Sequence, residues 1–459
     1  MTTSTSQNTH ETDTANNASY TTISTILTLA IPTFGQLIAE PAFVLIDTAI
    51  VGHIGGQALA GLSVGSTIVL TVVGLCVFLA YSTTSQVGRL LGAGKRREGL
   101  EAGIDGLWLA GIIGVVVSVA LFVIARPLCM AMGAQGSVLH NAVDYVRAVV
   151  FGIPGMLLVY AANGIFRGLQ KVRITLVAAT LGAILNTLLD LLFILGFGWG
   201  VFGSGVATLI SQWFMAVVLI VPAVLWTRAE GARLRPRLSG VLNSAGDGAV
   251  LFLRTLALRA CLVANVVLAT HMGVEVLAAY QVVNSSWNFV LNMLDAIGIA
   301  GQTLVAAQIG ARQEDEAMRL TRIAGKAGLC GGTVIGIGLM IAGWCASPLF
   351  SQSIEIQHLL TVGMVVVGVT LPLAGWMWAV DGILIGAGDY RYLALTCTAT
   401  AAIYVPCLAA IGWICDAMQA SSALRMVLLW LAVNLLFVGL RAIFNGFRIG
   451  TSTWLHIAH

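Results

Sequence analysis

Twelve apolar stretches constrain this chain more than anything else in it. They can be placed at residues 22–52, 57–91, 100–125, 139–166, 173–197, 201–227, 248–272, 275–309, 316–346, 354–386, 390–415 and 423–447. Each meets the roughly 20 residues that a helix needs to cross a bilayer. The first, second, eighth and tenth are long enough to tilt or to protrude. With 58% hydrophobic and 9% charged residues, no water-soluble globule of 459 residues could cover itself. The expected fold class is an all-α polytopic membrane protein of twelve transmembrane helices.

Basic residues alternate by loop. Lys95, Arg96 and Arg97 follow helix 2, Arg167, Lys171 and Arg173 follow helix 4, and Arg228, Arg233, Arg235 and Arg237 follow helix 6. Arg312, Arg319, Arg322 and Lys326 follow helix 8, Arg391 follows helix 10, and Arg448 lies in the tail, while the intervening loops are nearly bare apart from Arg126. The positive-inside rule then puts both termini in the cytoplasm of a multi-pass protein of the cell (inner or plasma) membrane. Residues 1–20, rich in Ser, Thr and Asn and without Lys or Arg, read as a disordered cytoplasmic tail, not a signal peptide. A net charge of +3 gives no footing for nucleic acid. The eight cysteines form no CxxC pair or Cys/His grouping, so no metal site is expected.

The two halves repeat at an offset of 218 residues. His53-Ile54-Gly55 falls on His271-Met272-Gly273, Leu91-Gly92-Ala93 on Ile309-Gly310-Ala311, Pro154 on Pro372, Gly164-Ile165 on Gly382-Ile383, and Arg173 on Arg391. One unbroken offset across five helices indicates duplication. The expected organisation is a six-helix N-terminal lobe at 21–227, a cytoplasmic linker at 228–247, a six-helix C-terminal lobe at 248–450 and a short tail at 451–459. Six is an even number, so the copies share an orientation and form a parallel pseudo-twofold repeat, an arrangement suited to alternating access.

Duplication makes the sequence its own control, and the copies differ at polar positions. Between Tyr20 and Arg89 only Glu40 and Asp47 carry a full charge, two helical turns apart on one face. Their counterparts are Leu258 and Asn265; Asn186 and Asp190, one turn apart on helix 5, fall on Tyr404 and Leu408; Asn163 falls on the acidic Asp381. A carboxylate in hydrocarbon is expensive, so a membrane helix that keeps one points to function. Asp47, Glu40 and Asp190 are the candidate proton-coupling acids, although a lone Asn such as Asn186 is as readily a clamp between helices. Pro32 and Pro41 interrupt helix 1 and permit a bend, static or linked to protonation. Helix 8 carries Gln281, Asn284, Asn288, Asn292, Asp295 and Gln302 as a polar stripe that should face a wet cavity. Asn186, Asn163, Asp295, Asn288 and Asp381 are the candidate substrate- or ion-binding groups. Tyr81, Tyr160, Trp213, Trp287, Trp376 and Trp378 are weaker candidates as aromatic faces for a cation. No Walker motif, HExxH or GxSxG occurs, which sets aside ATP-driven transport by this chain alone and leaves no basis for an enzyme.

PAFVLIDTAIVGHIGGQALAG at 41–61, LGAGKR after helix 2, the Asn186/Asp190 pair, AAYQV at 278–282 and DGILIGAG at 381–388 together resemble the multidrug and toxic compound extrusion (MATE) family, in particular its DinF-like branch. That resemblance spans essentially the whole chain. It implies export of small amphipathic, often cationic organic compounds by antiport against protons or sodium, with no cofactor, from a monomer embedded in the lipid bilayer. It also implies a coupling role for Asp47 and places Asn186, Asp190, Asp381 and Pro32 on the family's functional positions. Sodium-coupled members often carry a glutamate on helix 7 where Leu258 stands here, which favours protons acting through the N-terminal lobe. Sodium coupling and a lipid-linked precursor flippase of related architecture are the alternatives.

Overall fold

The computed structural model describes residues 5–457, except for the side chains of residues 5–22, 40 and 43. The expected tail at 1–20 falls on positions whose side chains lie outside the described residues. Twelve helices are long and apolar enough to span a membrane: α1 (Ile23–Gly52), α2 (Gly56–Gly92), α3 (Arg96–Ala131), α4 (Gly136–Gly168), α5 (Val172–Gly196), α6 (Gly200–Ala229), α7 (Leu238–His271), α8 (Val274–Gly310), α9 (Glu314–Phe350), α10 (Ile354–Ala387), α11 (Tyr390–Ala417) and α12 (Ser422–Ile449). No strand occurs among the described residues.

The repeat is visible in the backbone. Gly55 and Gly273 precede α2 and α8, with φ of 146° and 119°. A side chain would be strained in that region, so the same residue recurs at the same corner of both copies. Contact clustering divides the chain into one compact unit at Pro32–Phe252 and another that takes in Leu253–His459 and the chain before Pro32.

In the first unit the non-helical connection is shorter than the expected linker at 228–247, because helix ends at Ala229 and resumes at Leu238, leaving residues 230–237 between them. That stretch is pinned to α3. Glu101 receives Arg97 at 3.5 Å, Arg233 at 3.0 Å and Arg237 at 3.2 Å, and the Arg237 backbone N–H donates to Asp105 Oδ1 at 2.9 Å. Trp108 Nε1 donates to the Leu234 carbonyl at 3.1 Å. A carboxylate only 8% exposed is tolerable there because three guanidinium groups surround it.

The second unit is held by glycine contacts. Gly328, Gly332 and Gly336 recur every fourth residue on α9, and a Cβ on them would stand 2.3 to 2.5 Å from the Gly375, Leu371 and Gly368 carbonyl oxygens of α10. Small residues at this spacing let membrane helices approach backbone to backbone, where dispersion contacts replace the hydrophobic effect that lipid cannot supply. Aromatic rings fill the remaining interior: Tyr280 stacks on Trp430 at 5.4 Å, and Trp287 lies 6.2 Å from Trp430 and 6.4 Å from Trp378. The expected tail at 451–459 is not loose over its described part, since Trp454 and Leu455 are buried and Arg448 bonds Thr453 Oγ1 at 2.8 Å and Asp389 at 2.5 Å.

Candidate functional site

Within Pro32–Phe252 the polar candidates of the sequence do converge. On α5 the buried stripe Thr175, Ala178, Gly182, Asn186 and Asp190 follows helical spacing, so Asn186 and Asp190 point inward. Gly182 lets α6 come close, because a Cβ there would stand 2.3 Å from Met215. Directly after Asp190 the helix widens into a π turn, Leu191–Gly196, a feature frequent at functional sites. From α1, Asp47 is 6% exposed and lies beside Ser204 and within electrostatic reach of Asp190. Tyr145 of α4 faces both acids and Thr208, and fits against α2 because residue 65 is a glycine.

These groups are buried without being satisfied. Both carboxylate oxygens of Asp190, Oδ1 of Asp47, both side-chain polar atoms of Asn186, Oδ1 of Asn163 and the hydroxyls of Ser204 and Ser211 have no hydrogen-bond partner among the described residues. Each such group costs on the order of 1–3 kcal/mol when it is buried alone, so a fold that concentrates them is built around something other than its own stability. Two cavities open on part of this set, one at Asn163 and the other at Asp47. One, of about 50 Å³, is bordered by Gln36, Tyr160, Asn163, Thr175 and Gln212 together with Met156 and Met215. The other, of about 30 Å³, is bordered by Asp47, Thr48, Tyr145, Thr208 and Gln212, again with Met156.

The second unit holds the same positions closed. Asn265 and Tyr404, the counterparts of Asp47 and Asn186, are both fully buried, and the Tyr404 hydroxyl donates to Asn265 Oδ1 at 2.5 Å. Leu408 and Leu258 replace Asp190 and Glu40. Arg254 and Asp381, the counterparts of the cavity-lining Gln36 and Asn163, form an ion pair, to which Arg441 adds a contact at 3.2 Å and Asn445 Nδ2 a hydrogen bond at 3.1 Å. Arg441 in turn lies 5.1 Å from the Trp378 ring centroid. At these counterpart positions the second copy pairs Asn265 with Tyr404 and Arg254 with Asp381, although Asn265 Nδ2 has no hydrogen-bond partner among the described residues.

Asp381, expected among the substrate- or ion-binding groups, has both oxygens engaged, by two guanidinium groups and an amide. Asp295 and Asn288 belong to the second unit; Asn288 is exposed and its side-chain amide donates to the Asn284 carbonyl of its own helix at 2.9 Å, and Asp295 is half-buried. The Glu40 side chain lies outside the described residues. Pro32 and Pro41 fall inside α1, whose helical hydrogen bonding resumes through both. Of the aromatic candidates, Tyr160 borders the larger cavity, whereas Trp287 is core and Trp213 donates to the Phe151 carbonyl at 2.8 Å.

Sequence reasoning missed the polar face of α6. Ser204, Thr208, Ser211 and Gln212 recur at three- and four-residue spacing on a helix that is otherwise apolar, and all four are buried. That spacing was a usable signal, but uncharged hydroxyls in a membrane helix satisfy themselves on the preceding turn so readily that they carry little weight alone.

Comparison with known proteins agrees with this architecture. The MatE family model matches residues 32–192 and 251–411, one match in each copy of the repeat. The chain is 28% identical over 444 residues to Protein DETOXIFICATION 44, chloroplastic, of Arabidopsis thaliana, covering 93% of this chain and 82% of that protein. It is 25% identical over 395 residues to DNA damage-inducible protein F of Escherichia coli K12, covering 84% and 85%. The crystal structure of the Vibrio cholerae MATE transporter VcmN in the bent form superposes with a TM-score of 0.85 at 18% identity, over 96% of this chain and 99% of that one, a likeness of fold.

Proposed function

The chain belongs to the MatE family of membrane transporters, in its DinF-like branch, and from that premise we propose that it exports small amphipathic or cationic organic compounds in exchange for protons. One observation supports the reading: Asp47 and Asp190 are buried near each other, largely unpartnered, with Asp47 at the wall of a cavity in one copy of the repeat, while the other copy carries the neutral Asn265 and Leu408 at the same positions. A carboxylate can hold a hydrogen ion or attract a cation, but not both at once. Competition for one group is all that antiport requires.

In the proposed cycle the outward-open protein takes up a proton at Asp47, loses the charge that held the cargo and releases it. The neutral cluster then permits return to the inward-open state, where the proton leaves and a new cargo enters. Asp190 shares the proton with Asp47, since two neighbouring carboxylates resist simultaneous ionisation. Asn186, Ser204 and Thr208 offer the hydrogen bonds that either protonation state needs. The alternation of basic loops supports a cytoplasmic position for both termini and a location in the cell membrane.

Asp47→Asn tests this in proteoliposomes. Efflux of a lipophilic cation driven by an imposed pH gradient is expected to fall to background in that variant, and binding of the cation to weaken and lose its dependence on pH. Undiminished transport would remove the mechanism. Replacing the pH gradient by a sodium gradient in the same vesicles separates the two coupling ions, and competition by a lipid-linked precursor separates a flippase.

A further inference from the structure

Gln212 is the one polar residue that borders both cavities of the Pro32–Phe252 unit; Met156 is the apolar one. The larger cavity has three amides, from Gln36, Asn163 and Gln212, but no charged group at its wall, whereas the smaller has the Asp47 carboxylate. Both exceed the roughly 10–15 Å³ that a single water needs, so their polar walls can be bridged by water. The Gln212 backbone packs closely on α4: a Cβ on Gly155 would stand 3.3 Å from the Gln212 carbonyl carbon and the Trp213 nitrogen, a tight contact that glycine relieves.

We propose that the Gln212 side chain is a polarity switch that carries the protonation state of Asp47 into the larger cavity and makes that cavity selective for cations bearing N–H donors. The proposal rests on the proton-antiport reading above. A primary amide has a donor end and an acceptor end. Towards an ionised carboxylate, directly or through water, it presents its NH2, which leaves Oε1 turned to the larger cavity as an acceptor for an N–H cation. Towards a protonated carboxylic acid it presents Oε1, and its NH2 then meets the cargo donor against donor. One proton at Asp47 thereby inverts the hydrogen-bonding character of a wall it does not itself line.

The other groups that bear on this switch are few. Tyr145 borders the Asp47 cavity and Tyr160 the other, Asp190 is within electrostatic reach of Asp47, and Arg167 is reached through Gln36, whose Oε1 accepts from Arg167 Nη2 at 2.6 Å. None of them borders both cavities.

The test compares two cationic probes bound to purified protein at pH 6 and pH 8: a fluorescent aminoacridinium dye, which has N–H donors, and tetraphenylphosphonium, which has none. In the unaltered protein the gain in affinity from pH 6 to pH 8 is expected to be roughly fivefold greater for the dye than for tetraphenylphosphonium, the worth of about one hydrogen bond. Gln212→Met keeps length and volume but removes both ends of the amide, and should reduce the dye's gain from pH 6 to pH 8 to that of tetraphenylphosphonium in the same variant. A dye excess that survives in Gln212→Met, or equal gains for the two probes in the unaltered protein, overturns the switch alone. Affinities independent of pH for both probes in the unaltered protein overturn the proton-antiport reading with it.

Discussion

Replacing Asp381 by Asn asks whether the acid of α10 binds cargo or holds its lobe together. It sits between the Arg254 and Arg441 guanidinium groups, with side chains 5%, 9% and 3% exposed respectively. Asparagine would leave two buried positive charges with no counter-charge. At the 3.2 Å of the Arg441 contact and an effective dielectric near 20, each lost attraction is roughly 5 kcal/mol before solvation is counted. Breaking such a pair by removing one partner costs about 3–5 kcal/mol in practice. Arg254→Met leaves Asp381 paired one-to-one with Arg441 and bonded by Asn445, so about 1–2 kcal/mol is expected. For a unit of this size the Asp381→Asn penalty corresponds to a fall in unfolding temperature on the order of 10 °C. A thiol-reactive fluorophore reads the transition, because Cys76, Cys129, Cys261, Cys397 and Cys415 are buried and only Cys330 and Cys345 are exposed from the start. Asp381→Asn should melt well below Arg254→Met. An Asp381→Asn protein that melts like the unaltered one yet no longer binds cargo would refute the structural role and restore the binding role read from the sequence.

Asp190→Leu installs the residue that the other copy carries at Leu408; since neither carboxylate oxygen of Asp190 has a partner, the variant should melt no lower than the unaltered protein while gradient-driven efflux is lost. A lower melting temperature would show that Asp190 stabilises the fold. Gly328→Leu places a branched side chain where a Cβ already stands 2.3 Å from the Gly375 carbonyl oxygen, and should separate α9 from α10 at a cost of about 3 kcal/mol or more, seen as a lower melting temperature. Retained stability there would show that these helices pack without close backbone contact.

Much of the architecture was legible because lipid leaves a chain few choices. Twelve apolar stretches must become helices, as every backbone polar group needs a partner inside the segment. The offset that pairs Gly55 with Gly273 reports a duplicated corner, since both positions need the same unusual backbone. The acids of α1 and α5 stood out because charge in an apolar helix has no cheap explanation. Other features were not legible. Arg254 and Arg441 were not singled out in the sequence, and only the packing of α7, α10 and α12 brings them to one carboxylate. The polar face of α6 was hidden by its lack of charge, and the start of α7 was placed ten residues late because its first turns are polar and belong to the connection pinned on α3.

The sequence by itself determined the class of the fold, its duplication and the asymmetry of acids between the copies, because these follow from the solvation cost of each residue type, read one position at a time. Whether a buried polar group is used or spent depends on its neighbours, and those come from other helices. Tertiary structure alone decided that Asp47 borders a cavity and Asp190 is buried near it with bonds to spare, and that Asp381 and Asn265 meet Arg254, Arg441 and Tyr404.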